Sequence, residues 1–168
     1  MIVLIPAYEP GGTLSQLVRD LRASESEPHV VVVDDGSGNA YAGEFAAARR
    51  AGASVLSYPV NRGKGFALRT GIAHIGERFP GEVGVCADSD GQHRVEDILR
   101  VAHRAEQADG AIILGGRRFV GDVPVRSRVG NAVSRLAFGA VAGVRVHDTQ
   151  TGLRAYTPHL LGWMLGIA

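Results

Sequence analysis

One cysteine, Cys86, stands in 168 residues. A lone thiol excludes an internal disulfide and any CxxC metal motif. Its place in an apolar run marks it as buried and inert rather than nucleophilic. Excess charge of either sign is also missing: Lys and Arg number 18, Asp and Glu 17, net +1. A nucleic-acid-binding face needs a strong basic bias, so no nucleic-acid partner is expected. No apolar run reaches the roughly 20 residues that cross a bilayer. The opening "MIVLIPAYEPGG" has no basic leader, and its apolar run stops at Pro6, so it does not read as a signal peptide. A cytoplasmic location is the expectation. Linkers, low-complexity tracts and internal repeats are absent as well. Residues 1–168 therefore read as one domain, long enough to bury a substantial core.

What is present is an alternation. Near-continuous apolar runs at Ile2–Ile5, Val30–Val33, Ser54–Tyr58, Val83–Ala87 and Ala111–Leu114 suit strands covered on both faces. Helical stretches lie between them. Thr13–Ala23 sets Leu14, Leu17, Val18 and Leu21 on one face, with Thr13 as the expected N-cap. Ala40–Ala51, Gly65–Arg78 and Val95–Ala108 follow, then a Gly- and Ala-rich helix over Val125–Val144 and a loop, "RVHDTQTGLRAY". Strand–helix–strand repetition predicts an α/β fold, a Rossmann-like, mostly parallel sheet flanked by helices. Ligands of such sheets bind beyond the carboxyl ends of the strands.

Polar clusters fall at those ends: "PAYEPGG", "DDGSGN", "NRGKG", "DSDGQH" and "GGRRF". Each alone reads as a turn. Five on one edge, rich in metal-ligand and charged types, point to a shared site. Asp88 and Asp90 are like charges one residue apart, which repel. A hard divalent cation resolves that conflict, since Mg²⁺ or Mn²⁺ takes one or two carboxylates plus substrate phosphates. An aspartic acid–base pair would use the same spacing, but no partner motif accompanies it. His93 reads as a third ligand, a polar contact or a solvent-facing loop histidine. Asp34 reads as a turn cap and Asp35 as a ligand contact. "NRGKG" lacks the GxxxxGK[ST] pattern of a Walker loop. Its glycines still lead into a helix whose N-terminus favours anions, making Lys64 either a diphosphate contact or a solvated lysine. One of Arg117 and Arg118 should face the site as a phosphate fork. In "HDTQTGLR", Asp148, Gln150, Thr151 and Arg154 form either a hydrogen-bonded loop or a functional cluster, with Asp148 as base or orienter and Arg154 as anion contact.

In this order and spacing, PAY, DDGS, NRGKG, DSDGQH, GGRR and DTQTGLR resemble the inverting family 2 glycosyltransferases. The nearest likeness is to dolichyl- and polyprenyl-phosphate mannosyl- and glucosyltransferases, over Ile2 to about Tyr156. The resemblance implies a GT-A fold, a nucleotide-sugar donor, Mg²⁺ or Mn²⁺ as cofactor, and a polyprenyl or dolichyl phosphate acceptor. Carried over by motif, Pro6, Ala7 and Tyr8 frame the base, Asp35 contacts it and Lys64 sits beside the nucleotide. Asp88, Ser89 and Asp90 hold the diphosphate, Asp90 through the metal, with Gln92 alongside. Arg117 meets phosphate. Asp148 orients or abstracts, so Asp148, Asp90 and Arg117 are the catalytic set, with Gln150, Thr151 and Arg154 on the acceptor side. Many relatives read PAYNE where this chain has Glu9-Pro10, and Glu9 is the acidic residue carried to the donor side. The DTQTG form resembles the glucosyl branch more than the mannosyl one, favouring a UDP-sugar over GDP-mannose.

Such relatives continue with an acidic, aromatic segment, an amphipathic helix and often transmembrane helices, so the family's C-terminal segment is expected to be lacking here. That expectation motivates an alternative: a non-catalytic nucleotide-sugar-binding subunit completed by a partner chain. The apolar "LLGWMLGIA" is expected to cover itself against another chain, a second copy included, or against the membrane face. A nucleotidyltransferase would share sheet and metal, but no Gly-rich signature with a basic residue follows the first strand.

Overall fold

A computed structural model of the chain describes residues 1–116 and 151–166. In chain order the elements are β1 (Ile2–Ala7), α1 (Thr13–Arg22), β2 (His29–Asp35), a 3₁₀ turn (Asn39–Tyr41), α2 (Ala42–Arg50), β3 (Ser54–Tyr58), α3 (Lys64–Arg78), β4 (Gly84–Cys86), α4 (Val95–Glu106), β5 (Ile112–Leu114), β6 (Arg154–Tyr156) and α5 (Pro158–Gly166). The helix expected over Val125–Val144 lies outside the described residues.

The strands form one six-stranded sheet in the order β3-β2-β1-β4-β6-β5. β1 pairs in parallel with β2 and β4, and β2 with β3. β6 runs antiparallel to both β4 and β5. The mostly parallel sheet is as expected. The reversed β6 is a correction, because Arg154–Tyr156 had read as loop. Three residues are too short for a period-2 pattern to rise above its polar neighbours.

Side-chain alternation divides the core between the two faces of the sheet. Val3, Ile5, Val30, Val32 and Val85 pack under α1, α2 and α4, against Leu14, Leu17, Val18, Phe45, Ile98 and Val101. Ile2, Leu4, Val31, Val33 and Cys86 pack on the other face against Ala67, Ile72 and Ile75 of α3 and Leu161 of α5. Each such side chain contributes about 1.5–3 kcal/mol when fully buried. Burial on both faces is why β1 and β2 read as unbroken apolar runs.

One helix start differs from expectation. Gly12, not Thr13, occupies the N-cap position of α1, and no side chain caps it. The Thr13 hydroxyl instead donates to the Ser89 carbonyl oxygen at 3.0 Å, tying α1 to the loop after β4.

The sheet order reverses direction at β1, and there it opens. β1 stays paired with β2 to its last residue, Ala7 opposite Asp34. Its pairing with β4 ends at Leu4 opposite Cys86. Beyond that pair Pro6 can lack a backbone N–H without breaking the β4 ladder. The diverging ends leave a crevice at the topological switch point.

Candidate functional site

A cavity of about 350 Å³ occupies this crevice, lined by Pro6 and Ala7 from β1 and Tyr8 just after it, Asp35 from β2, Asn61, Gly63, Lys64 and Ala67 around the start of α3, and Asp88, Ser89 and Asp90 after β4. Four of the five polar clusters therefore meet in one place. Tyr8 is 49% exposed and forms the outer wall.

The β2 end is tied down by hydrogen bonds. Asp35 is 3% exposed. Its Oδ1 accepts from the Tyr58 hydroxyl at 2.6 Å and the Arg62 N–H at 2.8 Å. Burial first, then this bond to Asp35, pushes the Tyr58 phenol well above its ordinary range, so it remains a donor. Asp34 Oδ1 accepts from the Ser37 N–H at 2.9 Å, the turn-capping geometry. The Ser37 hydroxyl in turn accepts from the Glu9 N–H at 2.9 Å. Glu9 sits at φ 47° and is not among the residues lining the cavity.

The α3 entry follows from "NRGKG". Asn61 Oδ1 accepts from the Gly63 N–H at 3.0 Å. Gly63 stands at φ 89° as the N-cap position, a left-handed conformation that favours glycine. The turn delivers Lys64 to the first position of α3, and its Nζ forms an ion pair with Asp88 Oδ1.

Asp88 is gripped from two further directions. His93 is only 6% exposed, which removes the solvent-facing reading of that residue. Its Nε2 lies 3.5 Å from Asp88 Oδ2 and forms no hydrogen bond among the described residues. The His93 imidazole, and after it the Lys64 ammonium, hold the Asp88 carboxyl well below the usual carboxylate range, against the opposing effect of burial. Gly152, at the opposite side, backs directly onto the same carboxylate. Asp90 is exposed, and its Oδ1 accepts from the Gln92 N–H at 2.9 Å. Gln92 itself lines a separate cavity with His93, Asp97, Arg100, Gly115 and Gly116.

An adjoining pocket of about 290 Å³ shares Pro6, Lys64 and Asp88 with the first, and adds Gly152, Arg154 and Tyr156. Arg154 Nε donates to the Thr151 carbonyl oxygen at 2.9 Å. Thr151 is buried, and its hydroxyl donates to the Gly115 carbonyl oxygen at 2.7 Å, holding the β6 approach against the end of β5. Arg117, Arg118, Asp148 and Gln150 lie outside the described residues.

Sequence reasoning missed Asn61, whose place in "NRGKG" was a usable signal. It also missed Gly152, although the residue stands inside the "DTQTGLR" motif. Cys86 is buried as expected, and burial pushes its thiol up to about 12.

The donor set suits a hard cation. Asp88 and Asp90 both line the crevice. Among the described residues no group of three or more His, Cys, Asp or Glu side chains could hold a metal alone. Two carboxylates fit an ion that completes its coordination with substrate phosphates and water.

The sheet order, the reversed strand beside β4 and the acidic crevice define an α/β domain of the GT-A class. The chain belongs to Glycosyl transferase family 2, whose profile matches residues 2–158. It is 32% identical over 170 residues to an undecaprenyl-phosphate 4-deoxy-4-formamido-L-arabinose transferase of Pseudomonas aeruginosa, covering 97% of this chain and 48% of that one. It is 31% identical over 172 residues to the polyprenol monophosphomannose synthase of Mycolicibacterium smegmatis, covering 95% and 62%. Among solved structures, glucosyl-3-phosphoglycerate synthase from Mycobacterium tuberculosis in complex with Mn²⁺, UDP and glucosyl-3-phosphoglycerate superimposes with a TM-score of 0.70 at 21% identity, covering 99% of this chain and 62% of that one. The chain thus spans about half to two thirds of the length of these relatives. No helix among the described residues is long and apolar enough to cross a membrane.

Proposed function

We propose that this chain is the donor-binding domain of a family 2 glycosyltransferase that passes a sugar from a nucleoside-diphosphate sugar to a polyprenyl or dolichyl phosphate, with inversion. The observation that carries the reading is the meeting of Tyr8, Asp35, Lys64, Asp88 and Asp90 around one crevice at the sheet's switch point. The named relatives support the acceptor class, and the M. tuberculosis complex supports a metal-assisted UDP-sugar site.

Asp35 and Tyr8 would receive the base, Asp35 already fixed by Tyr58 and Arg62. Lys64 and the N-terminus of α3 favour the anionic diphosphate. Asp88 and Asp90 would hold Mg²⁺ or Mn²⁺, which when bound neutralises charge on the departing diphosphate. Arg117, by its motif, would add a second positive group there. Arg154 and Lys64, which both line the adjoining pocket, suit the acceptor's phosphate. An acceptor oxygen forms its bond to the anomeric carbon while the bond to diphosphate breaks on the opposite face. The electron pair leaves with the nucleoside diphosphate, and configuration inverts. A phosphate acceptor is already anionic, so Asp148 would orient it rather than remove a proton. With a lipid acceptor, the reaction belongs at a membrane surface.

The test is calorimetric titration of UDP-glucose and GDP-mannose, with and without Mn²⁺, on the native chain and on Asp90→Ala, followed by an assay of sugar transfer to polyprenyl phosphate in detergent. Metal-dependent binding of one donor, lost in Asp90→Ala, is expected. Absence of binding sinks the reading. Binding without transfer replaces it by the donor-binding subunit.

A further inference from the structure

The segment that carries β6 reaches the donor carboxylate with a residue that has no side chain. A Cβ built on Gly152 would stand 2.1 Å from Asp88 Oδ2 and 2.6 Å from its Cγ, well inside any tolerated contact. Gly152 is not among the glycines with positive φ, so its backbone does not itself demand glycine. The reason for glycine at this position is space.

The two sides of that contact differ in how far they can yield. Behind Gly152 the chain is pinned to the end of β5: Thr151 Oγ1 donates to the Gly115 carbonyl oxygen at 2.7 Å, and the Gly115 N–H donates to the Leu153 carbonyl oxygen at 2.9 Å. Thr151 and Leu153 are both buried. Ahead of it, Asp88 is held through Oδ1 by Lys64, while Oδ2 faces the buried His93 ring at 3.5 Å. Three separate stretches of chain thus enclose one carboxylate: the start of α3, the loop after β4, and the approach to β6. Of the parts in contact, the Asp88 side chain, 24% exposed, is the one with room to turn away.

We propose that Gly152 is a positioning residue, whose missing side chain leaves the space in which Asp88, gripped by Lys64 and His93, keeps the orientation that binds a divalent cation and the donor diphosphate. This rests on the glycosyltransferase reading above. Asp88 is the residue that would touch the metal and the donor, and Gly152 acts through it. The arrangement also means that the acceptor-side strand and the donor carboxylate share one contact.

The test compares the full chain with Gly152→Ala, Asp88→Ala and the double variant. Mn²⁺ affinity is read by electron paramagnetic resonance, binding of UDP and GDP with Mn²⁺ by calorimetry, and Tm without ligand. Gly152→Ala is expected to keep the folded circular-dichroism spectrum and to weaken Mn²⁺-dependent nucleotide binding about 10- to 100-fold, the usual effect of losing a group that orients a metal ligand. Wild-type affinity in Gly152→Ala overturns the proposal. Should Gly152→Ala lower Tm, Asp88→Ala in the same chain is expected to restore it, because the clashing carboxylate is gone. A Tm that stays low in the double variant overturns the proposal equally. If the native chain binds neither nucleotide with Mn²⁺, the glycosyltransferase reading fails first, and the Tm comparison alone decides whether Gly152 sets Asp88.

Discussion

Two strand ends of this sheet carry paired acidic residues, Asp34–Asp35 on β2 and Asp88–Asp90 after β4, and the sheet treats them differently. β2 has parallel partners on both sides to its last residues, with Asp34 opposite Ala7 and Ser57, and Asp35 opposite Tyr58. Asp35 is buried and Asp34 half-buried, and both take hydrogen bonds from within the chain, from Ser37, Tyr58 and Arg62. β4 loses β1 after Leu4 and β6 after Arg154, both at Cys86. The Ala87 N–H makes the last bond to β1, at the Leu4 carbonyl oxygen, and beyond it Asp88 and Asp90 line a crevice. The extent of strand pairing, rather than the residue types, separates Asp35, buried and hydrogen-bonded on the crevice wall, from Asp90, exposed at its open end. The comparison predicts a loss of stability at the closed end that the same substitution at the open end does not cause.

The largest effect is expected at the open end. Asp90→Ala should weaken Mn²⁺-dependent binding of the preferred nucleotide sugar by about 100-fold or more, about 3 kcal/mol. Stability should barely change, because Asp90 is exposed and its recorded bond is a local one to the Gln92 N–H. Calorimetry and urea unfolding on the same preparation separate the two quantities. A large loss of stability in Asp90→Ala would break the distinction between the ends.

At the closed end stability is lost as well. Asp35→Ala strips a buried acceptor from the Tyr58 hydroxyl and the Arg62 N–H. Leaving such donors unpaired costs about 2–4 kcal/mol. Urea unfolding is the measurement, and Tyr58→Phe in the Asp35→Ala background should recover part of the loss by removing one stranded donor. Asp34→Ala should cost less, about 1 kcal/mol, because it removes a single turn bond from a half-buried residue.

Acid provides a gentler probe of the open end. The Asp88 carboxyl is held below the usual carboxylate range in the folded chain, chiefly by His93 and then by Lys64. A depressed carboxyl contributes stability that is fully present above its unfolded value, near pH 4, and is lost as pH falls through the lower folded value. Asp88→Asn should therefore flatten the acid limb of the stability profile below about pH 4 while leaving the neutral plateau comparatively level. A native and a variant profile that run parallel through that limb would show that Asp88 makes no such contribution.

How much of this was readable beforehand follows from what one sequence can encode. The β-rich runs and amphipathic helices encoded the layers, because burial on two faces and on one stripe each leaves a periodic trace. The clusters after β1 to β4 pointed at the crevice, because parallel strands deliver their ends to a single edge. β6 was invisible: Arg154–Tyr156 is a strand only because β4 and β5 present edges on either side of it. The same holds for His93, whose burial depends on α4 and the β5 end closing around it, and for Gly152, which matters for what it faces. Contacts between distant stretches of chain leave no local pattern to read.

The smallest expected effect falls two residues before Asp88. Cys86 is the last paired residue of β4, opposite Leu4 on one side and Arg154 on the other. It is fully within the ladder, and burial pushes its thiol up to about 12. Only the thiolate attacks a disulfide reagent, so near pH 8 the folded chain should leave such a reagent essentially untouched, while the urea-unfolded chain reacts at the rate of an ordinary cysteine, with its pKa of about 8.5. Adding Mn²⁺ and nucleotide should leave that protection in place, because the thiol, although it borders the pocket of Lys64 and Asp88, is already buried among Ile2, Leu4 and Ile75. Prompt labelling of the folded chain would mean that β4 opens from β1 upstream of the crevice. The boundary between the paired strand and its open end would then no longer lie at Cys86, and the contrast with β2 would lose its structural cause.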